Sequence, residues 1–204
     1  TDANLEDWNT LEFTGVLPDA HTLIATATSD GSDASLIFTS GIDSTYDVYE
    51  FVYTNMHGQT DQKMFCFQVD VGTATSYAQT MTTTFVRAYH YESDAGAALG
   101  YYTYSDQAQG TALQDLSLSP DFTQGDSSVS GKLTLYGPSS GTYVKHFMAE
   151  TNNRGDAGGE AYYSVNARAA GYINTATAVT RIKFAFESGE IQGGEIKMYG
   201  LAKS

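Results

Sequence analysis

The amino-acid sequence predicts an all-β protein: an antiparallel two-sheet β-sandwich, jelly-roll-like, with about ten strands. Three observations predict this fold class. The chain is rich in strand-forming residues, with 15 Tyr and 10 Phe among 204 residues, and such residues fit a pleated, half-buried surface. Apolar and polar residues alternate with the period of a strand through most of the chain. No stretch has the apolar repeat of an amphipathic helix of ordinary length, which argues against helices between parallel strands.

The first part of the chain contains four strand patterns separated by polar turns. In the third pattern, Tyr49, Phe51 and Tyr53 share one face. Residues 29–33 are a predicted turn, because Asp and Ser bond their own backbone and Gly31 accepts a positive φ. The predicted strands are residues 22–28, Leu36–Phe38, 46–54 and 62–71.

The middle of the chain is less regular. In residues 82–91, Phe85, Arg87 and Tyr89 alternate with Val86 and His90, which favours a strand. Residues 100–104 are aromatic and residues 105–111 are polar. Residues 112–118 fit either a short helix or an edge strand.

The C-terminal part carries the clearest patterns. Val129–Tyr136 and residues 142–151 flank a Gly-Pro-Ser-Ser-Gly turn, so we expect an antiparallel hairpin. Residues 152–159 are rich in Asn, Gly and Asp and predict a flexible loop. Three further strands are predicted at residues 162–170, 179–187 and 195–201. No linker is visible, which favours an N-terminal lead-in at residues 1–21 and one β-sandwich domain over residues 22–204.

Charge and composition exclude several classes of protein. The chain has 10 Lys and Arg against 24 Asp and Glu, a net charge of −14, which repels nucleic acid phosphates. No apolar run of about 18 residues is present, so no transmembrane helix is expected. The lone Cys66 cannot form an internal disulfide, and its apolar neighbours predict a buried side chain.

Motifs for catalysis are weak in this sequence. Residues 137–141 match the nucleophile motif G-x-S-x-G, but that motif requires a strand, a turn and a helix, so a hairpin turn is favoured. The Arg-Gly-Asp tripeptide at residues 154–156 falls in the predicted loop and fits a chance match. No cofactor is expected. The one metal considered is a structural Ca²⁺ held by turn aspartates, either Asp30 with Asp33, or Asp115 with Asp121 and Asp126.

Tyrosine is concentrated between residues 89 and 104 and again at Tyr162 and Tyr163. Its ring buries area at little entropic cost and its hydroxyl stays polar, which suits wet interfaces and stacking on sugars. Packing within a sandwich core and cross-strand pairs are the alternative. The residues predicted to face a partner are Tyr89, Tyr91, Tyr101, Tyr102 and Tyr104.

Four blocks occur in a recognisable order. Residues 42–51, Ile-Asp-Ser-Thr-Tyr-Asp-Val-Tyr-Glu-Phe, fit the pattern I-x-S-T-Y-D-x-Y and follow the strand Ser-Leu-Ile-Phe-Thr-Ser-Gly at residues 35–41. Residues 131–138 resemble the hairpin pattern G-x-I-x-L-Y-N-P, with Leu133 and Gly137 in place of its Ile and Asn. Residues 182–201 resemble a closing I-x-F strand and I-x-L-Y-G-L tail, with Met198 in place of its Leu. Together they are spread over residues 35–204, and in the order and spacing of these blocks the chain resembles virion structural proteins of tailed bacteriophages, many of them marine.

The resemblance implies a virion protein without catalysis, as a tail-fibre, spike or head-fibre and decoration module with a jelly-roll-like fold. The partners that it implies are other virion proteins and further copies of the chain, with a trimer favoured, and a glycan or protein of the host surface. Neither nucleic acid nor membrane insertion is expected. The outward loops are expected at residues 29–33, 55–61, 105–111 and 152–159.

Two alternatives of a different class remain open at this stage. One is a carbohydrate-binding module that uses exposed tyrosines on one face of a sheet. The other is a glycan-degrading enzyme that uses two carboxylates, because their separation is a spatial property that the sequence does not give.

Overall fold

A computed structural model describes residues 21–158 and 161–201 of the chain. These residues form strands and no helix, and the predicted lead-in at residues 1–21 lies outside them except for His21. The strands are β1 His21–Thr28, β2 Leu36–Phe38, β3 Val48–Gly58, β4 Phe65–Val71, β5 Met81–Tyr91, β6 Ala97–Tyr101, β7 Ala108–Gly110, β8 Gln114–Asp115, β9 Val129–Tyr136, β10 Lys145–Asp156, β11 Tyr162–Ile173, β12 Val179–Phe186 and β13 Ile191–Leu201. Among the described residues, no helix has the length and apolar character needed to cross a membrane.

The strands form two sheets in which every pair is antiparallel. The larger sheet has nine strands in the order β1-β13-β3-β9-β10-β11-β5-β6, with β7 also pairing with β5. The smaller sheet has four strands in the order β2-β12-β4-β8. The predicted all-β two-sheet sandwich is therefore confirmed. The strands beyond the expected ten or so are short ones, chiefly β6, β7 and β8, which the irregular middle of the sequence does not reveal.

Aromatic side chains fill the space between the sheets. Phe184 on β12 is fully buried, and its ring lies 5.6 Å from that of Phe51 on β3 and 5.9 Å from that of Phe65 on β4. Phe38 and Tyr53 also lie within 6.5 Å of it. The alternation in the sequence therefore directs one face of each strand into a shared core, as burial of apolar area requires.

The smaller sheet covers only part of the larger one, and β5 shows where the cover ends. We call the face of the larger sheet that packs against the smaller sheet the inner face. On this face of β5, Met81 and Phe85 are fully buried, whereas Arg87, Tyr89 and Tyr91 further along the strand are half-buried. The inner face therefore extends beyond the core as a partly exposed surface of the larger sheet.

A buried polar network fixes the loop that follows β6. The Oγ1 of Thr83 donates to Oε1 of Gln114 at 2.7 Å, and Nε2 of Gln114 donates to the carbonyl of Ser105 at 2.9 Å. The backbone N–H of Gln107 donates to Thr83 at 2.8 Å. Because buried polar groups are costly when unpaired, this network holds residues 102–107 against β5.

Three of the four loop predictions need correction. Residues 152–156 belong to β10, where Asn153 is buried and its side-chain amide donates to the carbonyl of Leu118 at 3.0 Å. Residues 55–58 belong to β3, with a bulge at Asn55, whose φ is 54°, and with Met56 fully buried. Residues 105–111 contain β7 and begin at the buried Ser105. In each segment, the local sequence is polar and predicts a loop, but residues distant in sequence form hydrogen bonds with its polar groups.

Two turn predictions are confirmed. At residues 29–33, the carboxylate of Asp33 accepts from the N–H of Asp30 at 2.9 Å, and Gly31 has a φ of 98°. Residues 137–141 connect β9 and β10, and Oγ of Ser140 accepts from the N–H of Tyr143 at 2.9 Å. The G-x-S-x-G match therefore lies between antiparallel strands, without the helix that a nucleophile elbow requires.

Candidate functional site

The uncovered end of the inner face carries a group of aromatic side chains around one arginine. β5 supplies the arginine and two tyrosines on alternate positions, β11 supplies one tyrosine opposite them, and the loop after β6 supplies two more. We call this group the tyrosine–arginine cluster. Its members are Arg87, Tyr89, Tyr91, Tyr102, Tyr104 and Tyr163.

Three rings of the cluster, those of Tyr89, Tyr91 and Tyr163, are in mutual contact. Tyr91 and Tyr163, which are directly opposite on β5 and β11, have ring centroids 5.2 Å apart. Tyr89 lies 5.7 Å from Tyr91 and 5.8 Å from Tyr163. Edge-to-face contacts at these distances are favourable because ring edges and faces carry opposite partial charges. The cluster is therefore a packed surface rather than a set of independent side chains.

Arg87 lies between two of the tyrosine rings. The carbon of its guanidinium is 4.6 Å from the ring centre of Tyr102 and 5.2 Å from that of Tyr89. A cation is attracted to the electron-rich face of an aromatic ring, and the contact also restricts the guanidinium to few orientations. Arg87 is therefore held in place by aromatic contacts.

Arg87 has no carboxylate partner within residues 21–158 and 161–201. No Asp or Glu oxygen of these residues lies within 4.0 Å of its nitrogens, and its guanidinium donates no hydrogen bond to them. By contrast, Arg154 pairs with Asp121 and Arg168 pairs with Glu150. The N–H donors of Arg87 are therefore available to a bound group.

The cluster encloses a small pocket with an open side. The pocket has a volume of about 100 Å³ and is lined by Arg87, Tyr89, Tyr91 and Tyr163. On the β6 side, the residue opposite Arg87 is Gly100, and a Cβ built there meets no atom within 4 Å. The space over Gly100, on the same face as Arg87, is therefore open among the described residues.

Burial changes the acidity of one tyrosine in the pocket. The ring of Tyr163 lies over Gly155, where a Cβ would come within 2.6 Å of it. Burial raises the pKa of Tyr163, Tyr91 and Asp156 raise it further, and Arg87 opposes them. The hydroxyl of Tyr163 therefore stays protonated at neutral pH and is able to donate a hydrogen bond.

The structure brings together four of the five tyrosines predicted to face a partner. Tyr89, Tyr91, Tyr102 and Tyr104 belong to the cluster, and Tyr104 is 87% exposed. Tyr101 lies opposite Val86 on the other face of the sheet, where its hydroxyl donates to Asp106. Arg87 is not among the residues that the sequence predicts to face a partner, although the alternation in residues 82–91 places it on the face of Tyr89. Tyr163 belongs to the dense tyrosines of the sequence but not to the five predicted to face a partner, because β11 is distant in sequence from β5.

A shallow groove on the outer face is the second candidate. Two adjoining depressions of about 540 and 280 Å³ share Tyr136, Met148 and Ala170 as lining residues. The smaller one also contains Glu50 and Glu150, which are the carboxylates that a glycan-degrading enzyme would require.

Both of these carboxylates are paired with cations. Burial favours the neutral form of Glu50, but hydrogen bonds from Lys132 at 3.1 Å and His21 at 2.9 Å outweigh it and lower the pKa of Glu50. The hydrogen bond from Arg168, at 2.7 Å, lowers the pKa of Glu150. A general acid needs a raised pKa, so neither group is set up to donate a proton at neutral pH.

The aspartates considered for Ca²⁺ have other partners. Asp121 and Asp126 both pair with Arg154 at 3.1 Å, and Oδ1 of Asp115 accepts from the thiol of Cys66. Asp30 accepts from the backbone N–H of Ser32 at 2.9 Å. In the part of the chain that the structure describes, no three His, Cys, Asp or Glu side chains come together as a metal site would require.

Cys66 is fully buried, as the sequence predicts. Burial raises the pKa of its thiol, and the nearby carboxylate of Asp115 raises it further. Because the thiolate is the reactive form, Cys66 is not suited to nucleophilic or redox chemistry.

Comparisons with known proteins add no assignment to this geometry. When the chain is compared with known protein families, curated proteins and solved structures, none of them matches it.

Proposed function

We propose that this chain is a structural module of a phage virion that self-associates and presents loops at the particle surface, without catalysis. The resemblance of residues 35–51, 131–138 and 182–201 to virion proteins is the origin of the proposal. These blocks supply buried side chains of the core, including Phe51, Leu133 and Phe184. Core positions are what a shared scaffold has to retain, because packing tolerates little change in volume.

An unpaired edge strand is the observation that carries the self-association. Among the described residues, β6 is the last strand on its side of the larger sheet, and its five residues are all exposed. Its sequence, Ala-Ala-Leu-Gly-Tyr, contains no charge and no proline, although the chain as a whole carries a net charge of −14. Natural proteins usually protect an edge of this kind with Lys, Pro or a covering loop, because it pairs readily with another strand.

Within the part of the chain that the structure describes, the backbone of β6 has hydrogen-bonding groups without a partner at alternate residues. Tyr102 donates its N–H to the carbonyl of Phe85, and Tyr91 donates to the carbonyl of Gly96. In an antiparallel ladder the pairing alternates, so Gly100 and Ala98 point towards β5 as well. The N–H and C=O groups of Ala97, Leu99 and Tyr101 therefore point away from the sheet.

A second copy of the chain fits this edge. If two β6 strands pair antiparallel about a twofold axis at Leu99, each Leu99 faces its symmetry mate and each Ala97 faces the partner copy's Tyr101 position. All of these side chains lie on the outer face, and none is charged. A twofold contact is self-complementary and gives an even-numbered assembly, in place of the trimer that the resemblance favours.

Replacement of Leu99 by Lys is expected to separate the copies. The two ammonium groups would meet at the axis, where like charges directly opposite are destabilising. The measurement is molar mass by light scattering during size-exclusion chromatography, at low and at high protein concentration. At high concentration, the unmodified chain should have twice the monomer mass of 22.0 kDa. The Leu99→Lys variant should keep the monomer mass at both concentrations.

The matched control is Tyr143→Lys, which places the same charge at another apolar residue, 74% exposed and away from β6. This variant should self-associate like the unmodified chain. A chain that stays monomeric at the highest concentration would contradict the self-association. Equal dissociation in both variants, or in neither, would show that β6 is not the contact.

A further inference from the structure

We propose that the tyrosine–arginine cluster binds the anionic group of an acidic saccharide, a carboxylate or a sulfate, with the neighbouring tyrosine rings in contact with the sugar. The site is inferred from the cluster alone. It therefore stands or fails independently of the virion assignment and of pairing at β6.

Arg87 is the residue that selects an anion. Its planar guanidinium presents a fixed fork of N–H donors, which matches the two oxygens of a carboxylate or a sulfate. The chain has more than two acidic residues for each basic one, 24 against 10, and yet Arg87 has no acidic partner among the described residues. The rings of Tyr89 and Tyr102 restrict the guanidinium, and no acceptor of the described residues occupies its N–H groups, which leaves them for the ligand.

The dimensions of the site fit a charged group attached to a larger molecule. A pocket of about 100 Å³ has room for a carboxylate or a sulfate but not for a whole sugar ring. Tyr163 also lines this pocket, and its protonated hydroxyl is a hydrogen-bond donor. The rest of the ligand has to lie outside, on the open side above Gly100.

Exposed rings beside the pocket provide the contact for the sugar. Tyr104 is 87% exposed, and its ring lies 5.5 Å from that of Tyr102, which itself covers Arg87. The C–H groups on one face of a sugar pack against an aromatic ring, while its hydroxyls remain in water. The side chains of Tyr104, Tyr102 and Arg87 therefore form a row that leads from solvent to the pocket.

The same geometry disfavours other ligand classes. A cage for a quaternary ammonium needs an empty centre between the rings, and here a guanidinium lies between Tyr89 and Tyr102. A nucleic acid gains its affinity from several phosphates neutralised by Lys or Arg, whereas the cluster supplies a single arginine, Arg87. An acidic saccharide needs one charged group in the pocket, because the C–H faces of its sugars contact tyrosine.

Calorimetric titration of the whole chain with defined oligosaccharides tests the inference. The probes are hexagalacturonic acid as the carboxylated ligand, a heparin-derived hexasaccharide as the sulfated ligand, maltohexaose as the neutral one and a short single-stranded oligothymidylate. Arg87→Gln removes the charge, and Arg168→Gln is the matched control, because it removes the same charge from the outer face. Tyr104→Ala is a second variant, since an 87% exposed ring is dispensable for folding.

We expect at least one acidic hexasaccharide to bind, and the one that binds shows whether the group is a carboxylate or a sulfate. Arg87→Gln should weaken this binding by about tenfold or more, and Arg168→Gln should leave it within about twofold. Tyr104→Ala should weaken the binding of the acidic hexasaccharide, while the thermal midpoint of this variant should equal that of the unmodified chain. The inference is overturned if no acidic probe binds, if maltohexaose or oligothymidylate binds as tightly, or if both arginine variants have equal effects.

Discussion

Replacement of Phe184 by Ala is expected to lower the free energy of unfolding by about 4 kcal/mol. Phe184 is fully buried, and five aromatic rings from both sheets lie within 6.5 Å of it. Alanine would remove most of the side chain and leave a cavity that strands on both sides cannot close, because their hydrogen-bonded ladders fix their spacing. Equilibrium unfolding in urea measures the change.

Ile37→Ala is the control for this prediction. Ile37 lies on the neighbouring strand β2, opposite Lys183, and is 39% exposed on the outer side of the smaller sheet. Its replacement should cost less than about 1 kcal/mol, because little area is withdrawn from water there. Equal losses for Ile37→Ala and Phe184→Ala would contradict the proposed position of the core.

Replacement of Asp121 by Asn is expected to cost about 3 kcal/mol, the second-largest effect. The side chain of Asp121 is fully buried, and it accepts hydrogen bonds from Arg154 at 3.1 Å and from the N–H of Thr123 at 3.0 Å. Asparagine keeps the shape but loses the charge, so Arg154 loses its buried partner. Urea unfolding at neutral pH measures the loss.

Asp126 provides the matched control, because it pairs with the same arginine at the same distance of 3.1 Å but is 77% exposed. Asp126→Asn should change the free energy of unfolding by less than about 0.5 kcal/mol, since water screens exposed ion pairs. If the two variants are equally destabilised, burial is not what gives the Asp121 pair its importance.

The lowered pKa of Asp121 predicts that its contribution to the free energy of unfolding depends on pH. Burial favours the neutral form of Asp121, but hydrogen bonds from Thr123 and Arg154 outweigh it, so its pKa lies below the usual 3.8. A carboxylate whose pKa is lowered on folding stabilises the protein above its unfolded pKa and loses this contribution as the pH falls through the folded value. The difference in stability between the unmodified chain and Asp121→Asn should therefore be constant above about pH 5 and shrink below about pH 4.

The sequence predicts the sandwich because the alternation of apolar and polar residues is visible within each long strand by itself. On β3, Tyr49, Phe51 and Tyr53 share one face, as the alternation predicts, and all three are buried in the core. Segments whose structure depends on distant partners were predicted less well. Asn153 lies in a polar run that is typical of a loop, but Leu118 satisfies its amide, and the chain continues as a strand.

The candidate site was only partly accessible from the sequence for the same reason. The density of tyrosine indicated the region, and the alternation on β5 placed Arg87 beside Tyr89. The contact of Arg87 with Tyr102 depends on the loop after β6, which Gln114 and Thr83 hold from another part of the chain. The absence of a carboxylate beside Arg87 among the described residues is a property of the folded chain that composition does not reveal.

The assignment to a virion is tested most directly on purified particles of a phage that encodes this chain. Quantitative mass spectrometry compares its abundance with that of the other particle proteins, and a cryo-electron reconstruction locates its β-sandwich. We predict that the chain co-purifies with the particles at a fixed stoichiometry and occupies density at their surface. A chain that is abundant in infected cells but absent from purified particles would contradict the account.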